Sequence, residues 1–203
     1  MNQLSFESML ENNALRGYVR DLLEVKPLRA ATDVGTIPHA LHIACGNGNP
    51  TRLIQKYFTL EKVSAVDKDA AVIAQACSRY GSESMDFSVQ EVRSLRFAGD
   101  TFDAAFVLAD LHNMADWKVG VQELHRVLKP GGLLIMEELS QESFAWAAGR
   151  LFKVLAEHPY ESMLTMQGFH DHVLETGFEV LNFRQKVPFG LLKYFIMVAR
   201  KRA

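Results

Sequence analysis

A chain of 203 residues, 48% hydrophobic and 23% charged, has the size and composition of one ordinary globular domain with a substantial core. Its formal net charge of -2 leaves no electrostatic footprint for nucleic acid, and no apolar run reaches the roughly 18 to 20 residues that would span a bilayer. Two cysteines, Cys45 and Cys77, are too few for a disulfide framework, and MNQLSFESMLENN lacks the charged-then-apolar order of a secretory leader, so the expectation is a cytoplasmic protein with a small-molecule partner.

In chain order, the first 35 residues, with Leu10, Leu15, Val19 and Leu22, are predicted as a helical cap over a sheet. Strand-length apolar runs then alternate with helical patterns, the mark of βα units on a parallel sheet. The first run is ALHIA (40 to 44), followed by a glycine loop and a helix starting near Pro50, with Asn49 as its cap. KVSAV (62 to 66) ends at Asp67, and a helix from about 69 to 79 presents Ile73, Ala76 and Cys77 on one face. MDFSV (85 to 89) and FDAAFVL (102 to 108) are the third and fourth strands. WKVGVQELHRVL (117 to 128) is amphipathic, with Val121, Leu124, Val127 and Leu128 on one face; it stops at KPGG, and GLLIMEE (132 to 138) reads as a buried fifth strand. Helical stretches near 143 to 156 and 165 to 176 come next. FEVLNFRQK and YFIMVARK then come with only PFG and a few residues between them, so they must pair antiparallel. The pattern predicts one domain over residues 1–203: five parallel βα units closed by an antiparallel hairpin.

The chemistry concentrates at HIACGNGNP (42 to 50). In an open α/β sheet, ligands sit outside the carboxyl ends of the strands near the point where strand order reverses. Gly46 and Gly48 allow the backbone to approach a ligand closely. Asp67, 19 residues beyond Gly48, is spaced to accept hydrogen bonds from both ribose hydroxyls of a nucleoside. Dinucleotide enzymes share these features, but Thr51 replaces the third glycine of GxGxxG, and a closing hairpin is not their usual arrangement.

Four segments in order resemble the class I S-adenosylmethionine-dependent methyltransferases over roughly residues 38 to 200, in particular the type 11-like small-molecule branch that includes quinone-biosynthesis enzymes. They are LHIACGNGNPTRLI, AVDKDAAVIAQA, EVRSLRFAGDTFDAAFVLADLHNM and ELHRVLKPGGLLIMEE. The resemblance implies a three-layer α/β/α Rossmann-like sandwich with a seven-stranded, mostly parallel sheet of order 3-2-1-4-5-7-6. It implies S-adenosylmethionine as cofactor, S-adenosylhomocysteine as product and a small-molecule acceptor, with a homodimer left open. Ala44, Gly46 and Gly48 would line the methionyl and ribose part, with His42, Cys45 and Asn47 completing that loop. Asp67 would hold the ribose hydroxyls and Lys68 flank the adenine. Glu91 would accept from the adenine amino group, the Val92 amide would face the ring, and Leu108 and Ala109 would place backbone groups near the methionyl amine. In-line attack on a sulfonium methyl needs little beyond alignment and exclusion of water.

Two residues depart from the family pattern. His42 stands where an acid is common, which removes a negative charge near a cationic ligand, and Ala44 stands at the first glycine, although alanine does not readily take a positive φ. These departures motivate a rival reading, a cofactor-binding module of the same fold without turnover. A nicotinamide-dependent oxidoreductase is opposed by Thr51 and the hairpin.

His112, in ADLHNM after the fourth strand, is the candidate to deprotonate or orient an acceptor. Asp110 and Asn113 share that loop with weaker claims. Glu138 and Tyr18 are candidate acceptor contacts, Tyr18 with Arg16 as a lid, although a structural hydrogen bond is the stronger expectation for either member of the pair Glu137 and Glu138. His170 and His172 at i, i+2 diverge on a helix and predict no metal site. Cys45 reads as small packing. Phe144, Trp146, Phe152, Tyr160, Met163, Met166 and Phe169 read mostly as core, some of them lining an acceptor pocket.

Overall fold

The computed structural model describes residues 21–144, 163–187 and 193–203. Strands β1 (Ile37–Ile43), β2 (Leu60–Asp67), β3 (Met85–Val89), β4 (Phe102–Leu108), β5 (Leu128–Leu139), β6 (Phe178–Lys186) and β7 (Tyr194–Lys201) form one sheet in the order β3-β2-β1-β4-β5-β7-β6. The first five pair in parallel, and β7 runs antiparallel to both β5 and β6. This is the predicted seven-stranded Rossmann-like arrangement with its closing hairpin.

Helices α1 (Lys26–Ala31), α2 (Asn49–Tyr57), α3 (Ala70–Tyr80), α4 (Trp117–Val127) and α5 (Met166–Glu175) cover the sheet, and a π-helical turn, Asp21–Val25, leads into α1. The alternation of side chains along each strand divides the core in two. Leu41, Ala105, Val107, Leu134 and Met136 pack with Trp117, Val121 and Leu124 of α4 and Phe169 and Val173 of α5. Ala40, Ala104, Phe106 and Ile135 pack with Val25, Leu28 of α1, Ile54 of α2 and Ile73 of α3. The central strands are apolar on both faces, as a parallel sheet sandwiched between helices requires.

Boundaries differ from the sequence reading in instructive places. α2 begins one residue early, because Gly48 at φ 85 supplies the cap conformation and Asn49 is already helical. Asp69 caps α3, its Oδ1 accepting from the Ala71 amide at 2.7 Å; Ile73 and Ala76 are buried while Cys77 is exposed. KPGG does not separate a helix from a strand. β5 starts at Leu128 opposite Phe102, and Leu133 then pairs with Ala104, so residues 129–132 bulge out of the strand. Gly131 takes φ 81 in that bulge, and a Cβ on Gly132 would lie 2.8 Å from the Lys129 carbonyl and 3.1 Å from that of Phe102. Leu10, Leu15, Val19, Arg16, Tyr18, Trp146, Phe152, Tyr160 and the PFG turn lie outside the described residues, as do the side chains of Leu22 and Phe144. Among the described residues no helix is long and apolar enough to cross a membrane.

Candidate functional site

β1 lies between β2 and β4, so chain connections leave it in opposite directions and a crevice opens at the carboxyl ends of these strands. A cleft of about 310 Å³ occupies that place, floored by Ile43 and Val66. Its β2 and β3 walls are Asp67, Lys68, Gln90, Glu91, Val92 and Arg93, and Asp110, Asn113, Met114, Ala115 and Asp116 close the other side.

The glycine loop borders this cleft through Ala44. Gly46 takes φ 53, its amide donates to Asp67 Oδ2 at 2.9 Å, and the space where its Cβ would stand is open. Asp67 Oδ1 accepts from the Asp69 amide at 3.0 Å. Each carboxylate oxygen therefore spends one acceptor site on orienting the side chain and keeps another for a ligand hydroxyl. Gly48 does a different job: a Cβ there would meet Tyr80 Cδ2 at 2.7 Å and Ala76 Cβ at 3.2 Å, so its glycine is required by packing on α3. Ala44 does take a positive φ of 52, and so does Ala109 at 51, each at a cost of about 1 kcal/mol. These two strained alanines end β1 and β4 on either side of the switch point. Strained backbone of this kind concentrates at ligand sites.

The cleft suits a nucleoside with a cationic tail. It offers a diol-accepting acid, open space over Gly46, apolar surface from Ile43, Val66, Val92 and Met114, and four carboxylates against two cations. Arg93 pairs with Glu91 (2.8 Å) and, 23 residues further along the chain, with Asp116 (3.0 Å), so Glu91 lines the cleft with its carboxylate already engaged. Sequence reasoning passed over Arg93 and Asp116, because nothing in their spacing signals an ion pair between the turn after β3 and the start of α4.

The turn after β4 is built on Glu138. This fully buried carboxylate accepts from the amides of Asp110 (2.8 Å), Leu111 (2.8 Å) and His112 (3.3 Å), and its Oε2 lies 2.9 Å from His112 Nδ1. Such a partner selects the tautomer with the proton on Nδ1 and the lone pair on Nε2. The alternation between neighbours is thereby settled: Glu138 supports the turn, while Glu137 points to the opposite face and meets Lys186 Nζ at 2.7 Å. Burial pushes the Glu137 carboxyl up to about 8, with Lys186 opposing. Leu108 is buried, and the Ala109 amide donates to the Glu137 carbonyl at 2.8 Å.

His42 does not reach the cleft. It is buried beneath α2, with Nδ1 2.8 Å from Thr51 Oγ1. Cys45 is buried, and burial pushes its thiol up to about 12, as befits a small packing residue. Asn47 Oδ1 accepts from the Asn49 amide and shapes the entry to α2. His172 packs edge-on to Trp117 and His170 against Phe183, so the two rings diverge. Met163 and Phe169 are buried and Met166 is partly buried in the core.

Residues 41–136 match the family described as Methyltransferase domain. The chain is 26% identical over 176 residues to O-methyltransferase resE of Aspergillus sclerotiorum, covering 80% of this chain and 65% of that protein. It is 32% identical over 122 residues to demethylmenaquinone methyltransferase of Porphyromonas gingivalis, covering 57% and 50%. The chain thus spans between half and two thirds of the length of these curated relatives. An S-adenosylmethionine-dependent methyltransferase from Mesorhizobium loti superposes with a TM-score of 0.71 at 19% identity, over 87% of this chain and 96% of that one, which shows the shared fold.

Proposed function

We propose that the chain is a class I S-adenosylmethionine-dependent methyltransferase that moves a methyl group from S-adenosylmethionine to a small-molecule acceptor in the cytoplasm, a reading supported by the matched methyltransferase domain and the shared fold. The observation that carries this reading is Asp67 at the end of β2, locked to the Gly46 amide at the wall of the switch-point cleft. Bound there, S-adenosylmethionine would supply a methyl group activated by a cationic sulfur.

The chain's own part is binding, alignment and dryness. Asp67 would accept from the ribose hydroxyls, and Gly46 and Ala44 would pass beneath the tail. Val92 and Lys68 would flank the base, with Glu91 at its rim. Leu108 and Ala109 would place backbone groups near the methionyl amine. On the acceptor side, the Glu138 carboxylate orients the His112 ring through Nδ1, and His112 would take a proton from a hydroxyl or acidic carbon. The relatives named for O-methylation and for demethylmenaquinone support acceptors of that kind.

The test is incubation of the whole chain with radiolabelled methyl donor and a small-metabolite extract. Label should move to a small molecule, with the rate reduced about a hundredfold in His112→Ala. Retained cofactor with no transfer to any component would favour the rival module without turnover.

A further inference from the structure

On β1, His42 is turned beneath α2 onto Thr51 and lies outside the cleft lining. The cleft keeps a surplus of negative charge. Of its four carboxylates, Glu91 and Asp116 share one ion-pair partner, Arg93, at the rim, and Asp67 is held by two backbone amides. Asp110 differs from all three. It follows Ala109 at the end of β4 and lines the cleft, and its carboxylate makes no hydrogen bond or ion pair among the described residues. Its backbone is fixed, because the Asp110 amide donates to Glu138 Oε1 at 2.8 Å. The protein thus holds a half-buried, uncompensated carboxylate against the cleft wall opposite Asp67.

We infer that Asp110 supplies the negative charge that recognises the sulfonium of the methyl donor. The assignment rests on the cofactor reading above. A carboxylate left unpaired in a half-buried place costs stability, and that cost is recovered when a cation arrives. Consistent with this, burial and then the nearby Glu138 push the Asp110 carboxyl up to about 6. The charged groups that face it are Glu138 from β5, His112 from its own turn, and Asp67 and Lys68 from the end of β2. The neutral thioether product gains nothing from the carboxylate, so the same residue would favour substrate over product and promote product release.

Isothermal titration of the full chain with S-adenosylmethionine and S-adenosylhomocysteine tests this, since the two ligands differ in the charged methyl alone. Asp110→Asn should weaken the sulfonium compound by about tenfold and change the thioether by less than about twofold. In the unaltered chain, the ratio of the two affinities should rise between about pH 5.5 and about pH 7, as the raised Asp110 carboxyl ionises. That rise should vanish in Asp110→Asn, which assigns it to this carboxylate rather than to His112. Equal effects on both ligands, or a flat ratio in the unaltered chain, would overturn the inference while leaving the cofactor site standing. Failure of the unaltered chain to bind either compound would overturn the cofactor reading and this assignment with it.

Discussion

His42 and Thr51 each look like a lapse from a motif, one replacing an acid and the other a glycine. In the folded chain they are a single feature, a buried hydrogen bond of 2.8 Å joining β1 to the first turn of α2. A histidine buried without a partner would cost several kcal/mol, and Thr51 satisfies one ring nitrogen while packing under the helix. The negative charge expected to be missing near the ligand at position 42 therefore has a different setting: the side chain there addresses Thr51, not the cleft. A double-mutant cycle with His42→Ala and Thr51→Val, read by urea denaturation, should give a coupling of about 1 kcal/mol. Additive losses would mean that the two residues act independently.

Between elements, the decisive contact is that of β5 with the turn after β4. Glu138 collects three backbone amides and the His112 ring, so the wall of the cleft containing Asp110, Asn113 and Met114 is held by one side chain from the neighbouring strand. Glutamine at this position would turn an amide NH2 toward two donors whichever way it lay. Glu138→Gln should accordingly lower unfolding stability by about 3 kcal/mol, and an unchanged denaturation midpoint would contradict the anchoring role. The elements themselves were mostly legible, because strands covered on both faces read as continuous apolar runs and helices as single apolar stripes. What could not be read is what depends on register. Whether Glu137 or Glu138 faces the turn depends on the pairing of Leu108 with Glu137, and the bulge at 129–132 shifts that pairing against β4. Likewise, spacing located Asp67 and the glycines, but no local pattern links Arg93 to Asp116 or His42 to Thr51.

For the whole molecule, strand order fixes where chemistry can occur. The reversal at β1 opens the crevice, the strained alanines at 44 and 109 border it, and the acid at the end of β2 faces the turn after β4 across it. Helices on both faces bury the sheet, so stability is drawn from the two core clusters and the cleft can retain an unpaired carboxylate and positive-φ residues. The central claim is that this crevice holds the methyl donor by Asp67. It is tested most directly by calorimetric titration of S-adenosylhomocysteine into the unaltered chain and into Asp67→Ala. Binding to the unaltered chain should be saturable, and it should weaken by about a hundredfold in the variant through loss of two charge-assisted hydrogen bonds. No binding to the unaltered chain, or equal affinity for both proteins, would contradict the claim.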